Sequence, residues 1–349
     1  MTRLALVMIA RDEARGIARA LESARPHVER MIVLDTGSAD DTRAMAEACG
    51  AEVFDFAWCD DFAAARNAAL AHSDAAWNLV LDADEWIEAG AEALAPASLP
   101  AGGGGFLGEV RIASRMDAEG GGGLAQAWIA RVLPRGVGYV GRIHEQPASG
   151  LPRVRLPLTV GHDGYLAENL ERKGGRNETL LMRELEAAPQ DPYLWFQLAK
   201  EHQSRGRNPQ AALCFTEALR LAPPDIPWRH ALVVRSLIAL KANGQLDDAL
   251  VLADREVDHW QASPDFYFTV GDLYLEAASR EPKRASDLLP IVELSWKRCL
   301  EIGERPDLDG AVAGRGGHLA AHNLAVLYGT LGMTEQAAEY DALAARLRT

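Results

Sequence analysis

The stretch Trp77-Asn78-Leu79-Val80-Leu81-Asp82-Ala83-Asp84-Glu85-Trp86 decides how the first half of this chain folds. An apolar run leads straight into two carboxylates at i and i+2, with a third acid beside them. In a buried strand each such acid costs on the order of several kcal/mol unless a positive charge offsets it. A divalent cation carrying a diphosphate is the natural partner, because hard carboxylate oxygens suit magnesium or manganese. Taken alone, the stretch fits a solvated strand-to-helix turn capped by Asp equally well. A second strand weighs against that reading. Met31-Ile32-Val33-Leu34 also ends on an acid, Asp35, and two parallel strands ending in carboxylates make one acidic rim where open α/β sheets place their ligands.

Upstream, Leu4 to Ala10 is a near-continuous apolar run, the pattern of a strand buried on both faces. Arg11-Asp12-Glu13 ends it, and Ile17, Ala20, Leu21 and Ala24 then recur at helical spacing. After Asp35, Gly37 permits a tight turn, and Ser38 to Asp41 offer N-caps for a helix over Thr42 to Cys49. A short strand over Ala51 to Phe54 and a helix from about Phe62 to His72 lead back to Trp77. Strands and helices alternating at this length describe βαβ units and a parallel sheet.

Strand signals stop after Tyr165. Trp195, Leu198, Ala199, His202, Gly206, Ala211, Phe215, Ala218 and Pro223 then fall on the tetratricopeptide pattern of paired helices, with His202 in place of the usual Tyr. The pattern returns, with a drifting period, around Gly244 and Ala249, Gly271 and Tyr274, and Leu324 to Ala344. The expected architecture is therefore an α/β domain over residues 1–165 and an all-α, solenoid-like helical domain over 166–349. A concave helical surface of this kind binds peptide or protein, or packs into a homodimer.

A length of 349 residues suits two domains. The net charge of −14 argues against a general nucleic-acid binder, which needs a basic face for phosphate. Cys49, Cys59, Cys214 and Cys299 show no CxxC spacing, so neither a zinc signature nor a disulfide framework is expected. No apolar run reaches membrane-spanning length and no basic-then-apolar leader opens the chain, so a soluble, cytoplasmic protein is expected.

Asp35-Thr36-Gly37-Ser38 spells the active-site tetrapeptide of aspartic proteases. That chemistry needs two aspartates sharing a proton on an all-β fold. Here the tetrapeptide occurs once, between helical segments. No GxGxxG or P-loop appears, which disfavours dinucleotide and NTPase readings.

Four segments in order, namely a strand ending in Arg11-Asp12-Glu13, then Val33-Leu34-Asp35-Thr36-Gly37-Ser38-x-Asp40-x-Thr42, Trp58-x-Asp60-Asp61-Phe62-x-x-x-Arg66-Asn67 and Leu81-Asp82-Ala83-Asp84-Glu85, resemble glycosyltransferase family 2. The resemblance covers roughly the first half of the chain. It is similar to a bacterial branch in which the catalytic domain precedes tetratricopeptide-like helices, as in peptide and lipopolysaccharide-core glycosyltransferases. It implies a GT-A (Rossmann-like) fold, a UDP-sugar donor and Mn2+ or Mg2+. It further implies that Asp35 contacts the nucleotide base, that Asp82 lies near the ribose or a metal-bound water, and that Asp84 ligates the metal. Arg66 would face the same pocket and give the nucleotide fixed positive charge or hydrogen bonds, and Arg11 is a second candidate of that kind.

On the acceptor side, Trp128 to Leu133 and Gly138 to Ile143 read as strands, the second running into His144-Glu145. Inversion needs a carboxylate that takes the acceptor's proton opposite the leaving diphosphate, which makes Glu145 the candidate base. The family resemblance favours the same His-Glu pair. His162, after the next apolar segment, is a candidate to complete the metal shell, with His144 its rival. Glycine runs at Gly102 to Gly105 and Gly120 to Gly123 flank a further strand, and one of them is a candidate acceptor-side flap. The acceptor would be a peptide or protein, a glycan or a lipopolysaccharide-type molecule. The rival is a non-catalytic interaction scaffold with a relic transferase domain, against which the intact Asp35, Asp82 and Asp84 speak.

Overall fold

The computed structural model describes residues 2–100, 103–116, 123–165 and 175–348. They divide into two compact units, Met1–Leu180 and Leu181–Thr349.

The first unit is built on strands β1 (Leu4–Ala10), β2 (Arg30–Asp35), β3 (Glu52–Asp55) and β4 (Trp77–Val80), with helices α1 (Ile17–Ala24), α2 (Thr42–Ala48) and α3 (Phe62–Ala71) between them. These four strands are parallel in the order β3-β2-β1-β4. Side chains alternate across a strand, and β1 shows the consequence. Leu4, Leu6 and Met8 pack with Ile17 and Leu21 of α1 and Ala46 of α2, whereas Ala5 and Val7 pack with Ala65 and Ala69 of α3. Helices thus cover both faces, and the carboxyl ends of β2 and β4 flank that of β1.

The sheet then continues through β5 (Glu85–Ala89), β6 (Leu107–Met116), β7 (Gly123–Pro134) and β10 (Arg153–Tyr165) to the order β3-β2-β1-β4-β7-β6-β10-β5. β7 runs antiparallel to β4 and β6, and β5 runs antiparallel to β10. This is the α/β architecture of GT-A type that the resemblance implied. The chain leaves β4 at Asp82 and crosses at once to the far edge, where His162 lies opposite Glu85 and Gly161 opposite Trp86. A Cβ on Gly161 would come within 2.4 Å of the Trp86 ring, so glycine is what lets the two strands meet there. The expected strand over Gly138 to Ile143 is shorter than its sequence suggests. Only Tyr139–Val140 (β8) pairs, with Gln146–Pro147 (β9), and Gly141 at φ +91° turns the chain before Glu145. Of the candidate flap residues, Gly102 and Gly120 to Gly122 lie outside the described residues, while Gly104 packs flat on the Trp77 ring.

The second unit is helical. Pro192–Ser204 packs with Asn208–Leu221, Arg229–Ala242 with Leu246–Glu256, Pro264–Arg280 with Ala285–Ile302, and His318–Thr330 with Thr334–Leu347. Buried small residues such as Ala211, Ala218 and Ala249 sit beside Phe215 and Phe266, as stacked helix pairs require. A Cβ on Gly271 would lie 2.4 Å from the Trp296 indole nitrogen. Among the described residues no helix is long and apolar enough to cross a membrane.

Candidate active site

The loop after β4 carries the decisive carboxylates, and its position is fixed by backbone contact. A Cβ on Gly16, which caps α1, would lie only 2.8 Å from the Ala83 carbonyl oxygen, so the start of α1 rests against the loop between Asp82 and Asp84. The three acids of this loop have different surroundings.

Asp82 sits between two guanidinium groups. Arg66 Nη2 of α3 donates to its Oδ1 at 2.7 Å, and Arg131 Nη2 of β7 donates to its Oδ2 at 2.8 Å. The same Arg131 nitrogen donates to Glu85 Oε1 at 2.5 Å, and the Asp82 amide donates to Glu85 Oε2 at 3.0 Å. Arg66 Nε continues the chain of contacts to Glu145 Oε1. Arg66, Arg131 and Glu85 are all buried, and the Glu145 side chain is 9% exposed. Three carboxylates and two guanidiniums therefore form one continuous array at the strand ends. Burial opposes ionisation of Asp82, but Arg66 and Arg131 outweigh it and hold its carboxyl well below the usual range. Glu85 goes the other way: burial pushes it up, and attraction to Arg131 only partly opposes this. Burial likewise works against the charged form of both arginines, and the carboxylates around them more than compensate.

Asp84 stands outside that array. Its Oδ2 is 3.5 Å from His162 Nε2, and Ser114 Oγ holds His162 Nδ1 at 3.0 Å from the opposite side. A carboxylate oxygen and an imidazole nitrogen facing each other, with the imidazole fixed by a second partner, are donors of the kind a divalent cation takes. Among the described residues no group of three His, Cys, Asp or Glu side chains is arranged to hold a metal ion by itself.

Asp35 ends β2 and is buried. Its Oδ1 accepts from the Gly37 and Ser38 amides at 2.9 and 2.8 Å, and its Oδ2 has no partner among the described residues. The loop after it is tied to Arg11-Asp12-Glu13: Asp12 Oδ1 accepts from the Ala39 amide at 2.7 Å, and Thr42 Oγ1 accepts from the Glu13 amide at 2.7 Å. Arg11 is exposed, and its ion pair is with Asp12, at 3.8 Å. Among the described residues three non-glycine residues have positive φ, namely Asp12 (54°), Asp60 (58°) and His144 (51°). Each belongs to a segment singled out from the sequence, and such strained backbone gathers where geometry is functionally constrained.

Arg66, Asp82 and Glu145 are thus brought into direct contact, and Asp84 is brought to His162. Arg11 joins neither group. The sequence reading missed Arg131, Tyr139 and the depth of Glu85. A lone arginine among Ile129, Ala130, Val132 and Leu133 in a strand was the available signal, because a charge there must be paired.

Residues 5–95 match glycosyl transferase family 2. That segment carries Arg11, Asp35, Arg66, Asp82, Asp84 and Glu85, and it stops short of Arg131, Glu145 and His162. A TPR repeat-containing protein of Synechococcus elongatus is 28% identical over 284 residues, 75% of this chain and 66% of that protein. An uncharacterized glycosyltransferase of Rickettsia felis is 36% identical over 85 residues, 24% of this chain and 30% of that protein. The chain therefore spans less than two thirds of the length of either relative. Among solved structures, MamA from Desulfovibrio magneticus RS-1 covers 52% of this chain and 90% of its own at 16% identity and a TM-score of 0.40. Glucosyl-3-phosphoglycerate synthase from Mycobacterium tuberculosis, in complex with Mn2+ and UDP-glucose, covers 32% and 43% at 24% identity and a TM-score of 0.26. A match to family 2 over residues 5–95 is thus followed in this chain by a unit of paired helices.

Proposed function

We propose that this protein is a metal-dependent, inverting glycosyltransferase that moves a sugar from a UDP-sugar to a peptide or protein, a glycan or a lipopolysaccharide-type acceptor. The observation that carries the reading is the separation of the carboxylates within one loop: Asp84 faces an imidazole, while Asp82 faces two guanidiniums that lead to Glu145. Residues 1–165 form the transferase domain in this reading, and residues 166–349 form a helical domain whose surface receives a peptide or protein acceptor or a second copy of the chain. The free cysteines suit a reducing compartment such as the cytoplasm.

Asp84 and His162 are the residues that would hold Mn2+ or Mg2+. When bound, the ion offsets the charge that builds on the departing diphosphate. Asp35, with one oxygen committed to the turn and the other open, is placed to accept from the nucleotide base. Glu145 has one oxygen on Arg66 and the other without a protein partner among the described residues. That second oxygen takes the proton from the acceptor nucleophile as the nucleophile bonds to the sugar's anomeric carbon. The bond from that carbon to the diphosphate oxygen breaks on the opposite face, and UDP leaves with the electron pair.

The test is release of free UDP from a panel of UDP-sugars with manganese, magnesium or EDTA, using wild type and Asp84→Ala. Slow metal-dependent hydrolysis of one donor, lost in the variant, is the expected result. No turnover together with no metal-dependent UDP binding would overturn the reading and leave a non-catalytic interaction scaffold in its place.

A further inference from the structure

The first acid of the Asp82-Ala83-Asp84 pair is held in a way that its place in the loop does not require. Both of its oxygens are taken by guanidinium nitrogens, at 2.7 Å from Arg66 and 2.8 Å from Arg131. Moving that carboxylate would leave Arg66 with Glu145 alone and Arg131 with Glu85 alone, so Asp82 is the group that ties the two buried arginines together. Arg66 uses separate nitrogens for its two carboxylates, Nη2 for Asp82 and Nε for Glu145. A planar guanidinium fixed along one edge has its other donors fixed as well, so the Asp82 contact sets the direction from which Glu145 is held. Arg131 closes the far side by gripping Asp82 and Glu85 with one nitrogen. The ring of Tyr139 lies 5.5 Å from the Arg66 guanidinium carbon, flanking the same group.

We propose that Asp82 and Arg131 are positioning residues, which lock Arg66 so that Arg66 aims the Glu145 carboxylate at the acceptor. This rests on the proposed glycosyltransferase reading, and it gives the two acids of one loop different work. Asp84 serves donor affinity, whereas Asp82 serves turnover from a distance. Arg66 is the group between them, and its rigidity is what transmits the effect.

The experiment measures two quantities on the full chain: calorimetric affinity for UDP with Mn2+, and kcat for donor hydrolysis. Asp82→Asn is expected to keep UDP–Mn2+ affinity within about threefold of wild type while kcat falls at least about thirtyfold. Asp84→Ala is expected to lose the metal-dependent part of the affinity. Arg131→Lys, which keeps the charge, should recover part of the kcat that Arg131→Met loses, at unchanged affinity. If Asp82→Asn does not fold, the Arg131→Met and Arg131→Lys pair carries the test alone, with the same split expected. A loss of UDP–Mn2+ affinity in Asp82→Asn as large as that in Asp84→Ala would overturn the proposal and leave the glycosyltransferase reading standing. Absence of metal-dependent UDP binding in wild type would overturn both.

Discussion

Replacing Arg131 with methionine should expose how the buried charges of the first unit support one another. The substitution keeps most of the side-chain volume and removes the guanidinium that pairs with Glu85, which is 3% exposed. Breaking one partner from a buried pair costs roughly 3–5 kcal/mol when the remaining charge must stay charged. Glu85 has an escape, which is to take up a proton. At pH 7 that costs at most about 3.4 kcal/mol for a carboxyl of ordinary pKa 4.5, at about 1.36 kcal/mol per pH unit. Burial already pushes this carboxyl up, and Arg131 is the group that opposes the shift. Without Arg131 the folded-state pKa rises further, while the unfolded value stays put. The folded variant then holds a proton that the unfolded chain releases, so its stability falls as pH rises from the unfolded value towards the raised one. The gap between wild type and Arg131→Met should therefore stay below about 3.4 kcal/mol at pH 7 and below about 1.4 kcal/mol at pH 5.5, shrinking as the pH falls. Asp82 adds little to this, since it keeps Arg66 and its side chain is 35% exposed. Hydrogen exchange of the β4 amides in graded urea reads this unit without interference from the helical one. A gap well above about 3.4 kcal/mol at pH 7, or one that does not shrink from pH 7 to pH 5.5, would refute this reasoning.

Gly16→Val should act on the neighbouring loop. Its side chain would meet the Ala83 carbonyl, which a Cβ alone already approaches to 2.8 Å, so the start of α1 and the Asp82–Asp84 loop must move apart and the place of Asp84 relative to His162 changes. Metal-dependent UDP affinity is expected to fall at least about tenfold, and unchanged affinity in a folded variant would count against the packing described. Among the thiols, only Cys59 is exposed, and burial pushes the Cys214 thiol up to about 11. An aromatic disulfide reagent at pH 8 should therefore label one cysteine quickly, identified by mass spectrometry as Cys59, with Cys214 reacting only on unfolding; rapid labelling of two or more would contradict the burial.

Much of the first unit was legible because its strands are short, apolar and punctuated. Asp35 and Asp82 each follow a buried run, and alternate residues of β1 face opposite helices, so the pattern carries both the strand and its two-sided burial. The paired helices of the second unit were legible for a similar reason, since small residues must recur wherever helices cross. The partners of the acids were less so. Arg66 was visible beside Asn67 in its motif, but its grip on both Asp82 and Glu145 depends on how the turn after β8 folds back, and residues far apart in sequence decide that. Arg131 was hidden in an apolar strand, and the crossing that carries β5 to the opposite edge of the sheet leaves no local signal. Without that crossing, the nearness of Asp84 to His162 could not be read from spacing.

The most direct test of the central claim is to locate manganese by its anomalous scattering in crystals grown with UDP and Mn2+. The expected peak lies within about 2.1 Å of an Asp84 oxygen and beside His162 Nε2, with Asp82 still on Arg66 and Arg131. Manganese bound to Asp82 instead, or UDP seated with no metal at Asp84, would contradict it.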